Sequence, residues 1–130
     1  MQETYEFLKR CGVFYLVTVD GNKPRVRPFG ALNIFEGKLY IQTGKSKNVS
    51  RQMMANPHIE ICGYVDGVMI RVEAKVVADE RIEAKQSMLD NNPELKNMYQ
   101  ANDPNTEVLF LVDATTTIYS FTEAPKVIDF

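Results

Sequence analysis

The chain has 130 residues, of which 45% are hydrophobic and 25% are charged, and its formal net charge is −2. This length and composition suit one globular domain over residues 1–130, whereas the slight excess of acids argues against a nucleic-acid-binding protein. No apolar run is long enough to span a bilayer and the N-terminal segment has no apolar signal-peptide core, so we expect a cytoplasmic protein without a membrane partner.

The first third of the chain predicts one helix followed by a β-meander. Residues 2–10 carry apolar side chains at near-helical spacing, and Gly12 stands where a helix C-terminus favours glycine. Strand-forming runs then fill residues 13–43 and are cut by turn signals at 20–22 and 36–37.

The middle of the chain predicts two helices on either side of a β-hairpin. Ser46 is a candidate N-cap for a helix over residues 46–55. Strand patterns follow in "HIEICGYVD" and "VMIRVEAKVVAD", joined at the turn signal Asp66-Gly67. Residues 79–100 are polar and helical, with a break at 91–93.

The last part of the chain returns to strand patterns. Two strands are expected over residues 107–114 and 115–121, and a short tail ends the sequence at 126–130. Because some six strands with short turns alternate with few helices, the fold class is mainly β with flanking helices. The expected architecture is a small closed or split β-barrel.

A basic stretch, "TGKSKNVSRQMMANP" over residues 43–57, stands out in this mildly acidic chain. No acid occurs between Lys38 and Glu60. The free N–H groups of a helix start, a glycine, two hydroxyls and the ammonium groups of Lys45 and Lys47 would suit a phosphate dianion. The GxxxxGK[ST] pattern of a nucleotide-binding P-loop is absent. The alternative is a solvated helix start that binds nothing.

A second cationic group lies in "KPRVRPF". Strand alternation places Arg25, Arg27 and Phe29 on one face. In a meander this strand lies beside "KLYIQT", which would bring the two basic groups together. Such convergence predicts a small anionic ligand with a flat apolar part, contacted by Phe29 and Tyr40. The alternative is that the arginines face solvent and pair with acids such as Glu60 or Glu73.

The segment "GNKPRVRPFGALNIFEGKLYIQTGKSKNVSRQMMANPHIEICGYVDG" resembles the pyridoxamine 5′-phosphate oxidase-like family of FMN-binding split barrels. The resemblance covers roughly residues 3–121 and is greatest to the small bacterial branch described as general-stress or nitroimidazole-resistance proteins. It implies a six-stranded Greek-key split barrel that forms a homodimer with FMN at the interface.

The resemblance also implies which residues hold the cofactor. The phosphate-binding positions of the family fall on Thr43, Ser46 and Lys47. Its strand along the flavin ring and ribityl chain falls on four residues, Arg25, Arg27, Pro28 and Phe29. Which of Arg25 and Arg27, and which of Lys45 and Lys47, contacts the phosphate stays open. No catalytic residue is identified, and a sole histidine without spaced cysteines gives no metal site.

Three functions are compatible with these features. The first is an FMN-dependent oxidoreductase that acts on a small molecule, and the second is a flavin-binding module with a stress role and no substrate. The third is a related barrel that uses deazaflavin F420 or haem. Vitamin B6 oxidase activity is not expected, because "TTTIYSFTEAPKVIDF" lacks the Arg- and Trp-rich segment with which those oxidases grip their substrate.

Overall fold

A computed structural model describes residues 1–130 as eight antiparallel strands with three α-helices and one 3₁₀ helix. None of the helices is both long and apolar enough to cross a membrane. In chain order the elements are α1 (Gln2–Cys11), β1 (Phe14–Asp20), β2 (Lys23–Phe29), β3 (Leu32–Phe35), β4 (Lys38–Gly44), α2 (Asn48–Ala55), β5 (His58–Val65), β6 (Val68–Asp79), α3 (Ile82–Asn91), the 3₁₀ helix (Pro93–Asn97), β7 (Thr106–Tyr119) and β8 (Lys126–Asp129).

The strands form one sheet in the order β2-β1-β5-β6-β7-β4-β3, and β8 adds to β7. The two end strands, β2 and β3, do not pair with each other, so the barrel stays open between them. This mainly β, split-barrel architecture with flanking helices confirms the predicted fold class. The sheet has eight strands where six were expected.

The predicted meander is wrong at β4. The β3–β4 hairpin pairs with β7, with Ile41 opposite Leu109, and lies at the far end of the sheet from β2. The reason is burial on both faces of β4. Leu39 and Ile41 belong to the main core while Tyr40 belongs to a second one. Strand β7 also contributes to both cores, Leu109 to the larger and Val108 to the smaller, whereas β2 is largely exposed.

Three local predictions also need correction. Residues 106–119 form one strand, because the chain bends without turning back at Asp113, where φ is 50° and the register with β6 shifts. The predicted tail is β8, whose main chain pairs with β7. Helix α2 begins at Asn48, and its N-cap is Lys47, whose backbone is extended, and not the predicted Ser46. The backbone N–H of Ser46 donates to Asn105 Oδ1.

Two hydrophobic cores lie on opposite sides of the sheet. The larger one fills the barrel with 18 buried residues and includes Phe7 and Leu8 of α1. The smaller one, with Tyr40 and Met88 among its 5 buried residues, holds α3 against β4 and β7. The helix α1 ends as predicted, because Gly12 adopts a φ of 74° and its N–H donates to the Lys9 carbonyl.

Candidate cofactor site

A cavity of about 450 Å³ opens where the ends of β2 and β4, the start of α2 and the 3₁₀ helix meet. Strands β2 and β4 are not neighbours in the sheet, and it is the curl of the open barrel that makes them face each other. Strand β3 begins at Leu32, opposite Ile41. Beyond that pair, Gln42 and Thr43 have no strand partner on the β3 side, and they form part of the cavity wall.

The cavity brings together five of the seven residues predicted as cofactor contacts: Arg27, Pro28, Phe29, Thr43 and Lys47. The other two residues are not on its wall. Arg25 lies near Asp20 at 3.7 Å on the exposed end of the β1–β2 hairpin. The N–H of Ser46 is taken by Asn105 Oδ1 at 2.8 Å.

The Arg27 guanidinium is held by two side chains that are not on the cavity wall. It donates to Thr18 Oγ1 at 2.8 Å and to Gln52 Oε1 at 2.7 Å, and Thr18 Oγ1 donates to the same Gln52 oxygen at 2.6 Å. Thr18 and Gln52 are both buried, so the fork of Arg27 has a preset orientation.

No carboxylate balances this cation. Arg27 forms no ion pair, and the alternative that both strand arginines pair with Glu60 or Glu73 is wrong. Burial lowers the pKa of the Arg27 guanidinium, because desolvation penalises its charged form. A partly desolvated arginine still carries its charge near neutral pH, and it therefore attracts an anion.

The two lysines of the basic stretch differ in whether an acid neutralises them. Lys45 Nζ contacts Glu80 Oε2 at 2.8 Å, and this hydrogen bond holds the pKa of Glu80 below its usual range. Lys47 forms no ion pair, and it lies on the cavity wall directly ahead of α2. The first turn of α2 contains no acid, so its N–H groups and Lys47 present positive charge to the same space.

Gln42 is a wall residue that the sequence analysis missed. It is 6% exposed, and neither its Nε2 nor its Oε1 has a hydrogen-bond partner within the chain. A buried amide normally has partners. The signal in the sequence was a polar residue inside the apolar strand "KLYIQT", which had no visible reason there.

Tyr40 does not belong to the site, which corrects the prediction that it contacts a ligand. Its ring lies in the smaller core, 1% exposed, and its hydroxyl donates to Asp79 Oδ2 at 2.8 Å. Tyr40 precedes Gln42 by two residues on the same strand face, but α3 covers Tyr40 whereas the cavity begins at Gln42. The 3₁₀ helix and the residues after it contribute Glu94, Leu95, Met98 and Tyr99 to the cavity wall.

The chemical types of the wall residues suit a flavin mononucleotide. Cations without ion pairs at Arg27 and Lys47 suit a phosphate, and the Phe29 ring and Pro28 suit an apolar plane. Haem fits less well. The sole histidine, His58, is exposed at the start of β5 and lies on a different surface, so it offers no axial ligand in this cavity.

Solved structures share the fold over nearly the whole chain. A NimC/NimA family protein from Clostridium acetobutylicum is 43% identical with a TM-score of 0.98, over 100% of this chain and 92% of that one. General Stress Protein 26 from Bacillus anthracis is 21% identical with a TM-score of 0.75, over 99% and 98% of the two chains. These structures agree with the branch indicated by the sequence.

Proteins of this fold bind more than one cofactor. A pyridoxamine 5′-phosphate oxidase-related, FMN-binding protein from Nostoc punctiforme is 15% identical with a TM-score of 0.66, over 99% and 95% of the two chains. The haem storage protein HutZ from Vibrio cholerae is 16% identical with a TM-score of 0.66, over 85% and 87%.

The sequence itself settles the family. No curated protein matches it significantly. The family model described as pyridoxamine 5′-phosphate oxidase matches residues 1–121, which include every wall residue of the cavity described above. The chain is therefore a member of the pyridoxamine 5′-phosphate oxidase family.

Proposed function

We propose that residues 1–130 form a single FMN-binding domain that works as a flavin-dependent oxidoreductase on a small molecule. The observation that carries the proposal is that two cations without ion pairs, Arg27 and Lys47, line one cavity together with the aromatic ring of Phe29. The chain has no GxGxxG motif for a pyrophosphate, which favours FMN over FAD.

Each wall residue has a distinct task in this proposal. Arg27, Thr43 and Lys47 hold the phosphate by charge and hydrogen bonds, and the fixed fork of Arg27 sets its position. Pro28 and Phe29 cover an apolar surface of the ring system and exclude water from it. The wall does not support the roles expected of Arg25 and Ser46, which remain predictions from the family resemblance.

The bound flavin would supply hydride or electron transfer, and the chain would orient it and limit access. The proposal assigns no wall residue to proton transfer. The small molecule and its electron donor enter from the side of Glu94 and Met98, which are exposed.

We also propose a homodimer whose second copy lies near the cofactor. The apolar residues Val108, Leu109 and Leu111 of β7 give no support, since they are buried within the chain's own cores. The support lies elsewhere. Tyr15, Val26 and Tyr64 are 50%, 65% and 65% exposed and share the outer face of β2, β1 and β5.

Titration with FMN and riboflavin tests the proposal directly. We expect one FMN per chain with micromolar or better affinity, seen as quenching of flavin fluorescence, and weaker binding of riboflavin. A protein that leaves the fluorescence of both unchanged, or that binds haemin and neither flavin, would contradict it. Oxidation of NADH or NADPH by the loaded protein with an added acceptor separates the oxidoreductase from a flavin-binding module without turnover.

A further inference from the structure

The Arg27 guanidinium uses only one of its two double-donor edges inside the chain. Nη1 donates to Thr18 Oγ1 at 2.8 Å, and Nη2 donates to Gln52 Oε1 at 2.7 Å. These two acceptors are themselves joined, because Thr18 Oγ1 donates to Gln52 Oε1 at 2.6 Å. Together they therefore occupy the edge between Nη1 and Nη2. Nη1 also donates to the main-chain carbonyls of Leu16 and Arg25, at 3.2 and 3.4 Å.

The second edge of the guanidinium, between Nε and Nη2, has no partner in the chain. No hydrogen bond reaches Nε, and Arg27 forms no ion pair. Nε is not enclosed either, because the only enclosed side-chain atoms without a partner are those of Gln42. Since Arg27 lies on the cavity wall, two adjacent N–H groups remain for a ligand. Such a fork matches two oxygens of one phosphate.

The side chain that anchors Arg27 on α2 is neutral. Gln52 is 5% exposed, and its amide oxygen accepts both hydrogen bonds without carrying a charge. A carboxylate at this position would be a stronger acceptor for the guanidinium, but it would also cancel the positive charge. The amide of Gln52 therefore fixes the direction of Arg27 and leaves its attraction for an anion intact.

We propose that Gln52 is a positioning residue, which aims the free edge of Arg27 at the phosphate of FMN and keeps the charge of that edge uncompensated. This inference rests on the proposed function. Gln52 is not on the cavity wall, so it acts on the phosphate only through Arg27. Riboflavin has no phosphate, and its binding should therefore not depend on Gln52.

The substitution Gln52→Glu tests the charge of the anchor while keeping its shape. Nε2 of Gln52 has no partner in the chain and is not enclosed, so an oxygen in its place loses no hydrogen bond. The added charge lies beside Arg27 and opposes the phosphate. The dissociation constant of FMN should rise about tenfold or more, because the charge-assisted contact is lost. That of riboflavin should not change, and fluorescence titration measures both.

The melting temperature of the ligand-free protein separates lost binding from lost folding. Gln52→Glu supplies Arg27 with an ion-pair partner and should keep the melting temperature or raise it. Gln52→Met removes the acceptor of Thr18 and Arg27, so it should lower the melting temperature. It should also weaken FMN and not riboflavin, because Arg27 is no longer held. The matched charge control is Gln2→Glu, at an exposed position on α1, which should leave the affinity for both flavins unchanged.

The outcomes separate this inference from the proposed function. If the wild-type protein binds neither flavin, the proposed function and this inference both fall. If the wild type binds FMN and either Gln52 variant binds it equally well, only the inference falls, since Gln52 would then have a structural role alone. It also falls if Gln52→Glu weakens FMN and riboflavin to the same degree. Selective loss of FMN in Gln52→Glu, at a melting temperature no lower than that of the wild type, supports it.

Discussion

At the scale of single residues, the site depends on which cations are left without acids. Lys45 and Lys47 are two residues apart in the same loop, yet Glu80 neutralises only Lys45. Arg25 and Arg27 share a strand face, yet only Arg27 lies on the cavity wall. We therefore expect one residue of each pair to matter for binding.

The substitution Lys47→Ala should weaken FMN selectively. A charge-assisted contact to a dianion contributes roughly 1.5–3 kcal/mol, so the dissociation constant should rise about 10- to 150-fold. Riboflavin lacks the phosphate and should bind as before. Fluorescence titration of both ligands checks this. The control variants Lys45→Ala and Arg25→Ala should change the affinity for neither ligand. Equal weakening of FMN and riboflavin would show that Lys47 is not a phosphate ligand.

At the scale of elements, a polar cluster around the buried Asp79 joins the β3–β4 hairpin, the end of β6 and the start of α3. Asp79 accepts hydrogen bonds from Tyr40 Oη at 2.8 Å and from Arg81 Nη2 at 2.9 Å. Arg81 also donates to both oxygens of Glu36, at 3.2 and 3.0 Å. The hydrogen bond from Arg81 lowers the pKa of Asp79 to about 2, and burial raises that of Tyr40 to about 12.

This cluster predicts a loss of stability in acid. The pKa of Asp79 is lower in the folded chain than the ordinary 3.8, so its stabilising effect is complete above about pH 4 and is lost as the pH falls towards 2. The lowered pKa of Asp79 contributes about 2 kcal/mol to the free energy of unfolding at neutral pH.

Denaturant unfolding from pH 6 to pH 2 tests this contribution. The free energy of unfolding should fall less steeply with pH for Asp79→Asn than for the wild type. The exposed Glu36→Gln should change stability by less than about 1 kcal/mol. Parallel curves for Asp79→Asn and wild type would exclude the cluster as the cause.

The packing of α1 on the sheet depends on Gly63 in β5. A Cβ at this position would lie 2.9 Å from Cys11 Sγ and 3.2 Å from Ile70 Cγ2. Gly63→Ala should therefore cost about 1–3 kcal/mol by overpacking. A Cβ at Gly30 would meet only the Gly12 carbonyl at 3.6 Å, so Gly30→Ala is the control and should unfold like the wild type. Differential scanning calorimetry that finds no drop for Gly63→Ala would show that α1 can move away without loss.

At the scale of the whole molecule, the exposed face formed by Tyr15, Val26 and Tyr64 predicts self-association. Light scattering should give about twice the chain mass of 14.8 kDa. Tyr64→Glu places a charge on this face and should shift the mass towards the monomer. Ile82→Glu changes a side chain of similar exposure on α3 and should leave the dimer intact. A wild-type protein that is monomeric at micromolar concentration would contradict a dimer and a cofactor placed between two copies.

Much of the local structure followed from the sequence. The helical spacing of residues 2–10, the turn at Asp66-Gly67 and the shared face of Arg25, Arg27 and Phe29 all appear in the structure as predicted. These features depend on neighbours within a few residues, so the spacing of apolar residues and the residue types at turns predict them directly. The family, and with it the split barrel, also followed from a run of such local motifs.

The tertiary structure alone decided how distant residues meet. Strand β4 pairs with β7, which like β4 contributes side chains to both cores, and no local pattern states which distant strand will lie beside it. Glu80 lies 35 residues from the lysine that it neutralises, so the free cation at Lys47 was not visible in the sequence. The absence of hydrogen-bond partners for the Gln42 amide was not visible in the sequence either, because it depends on which distant residues surround that side chain.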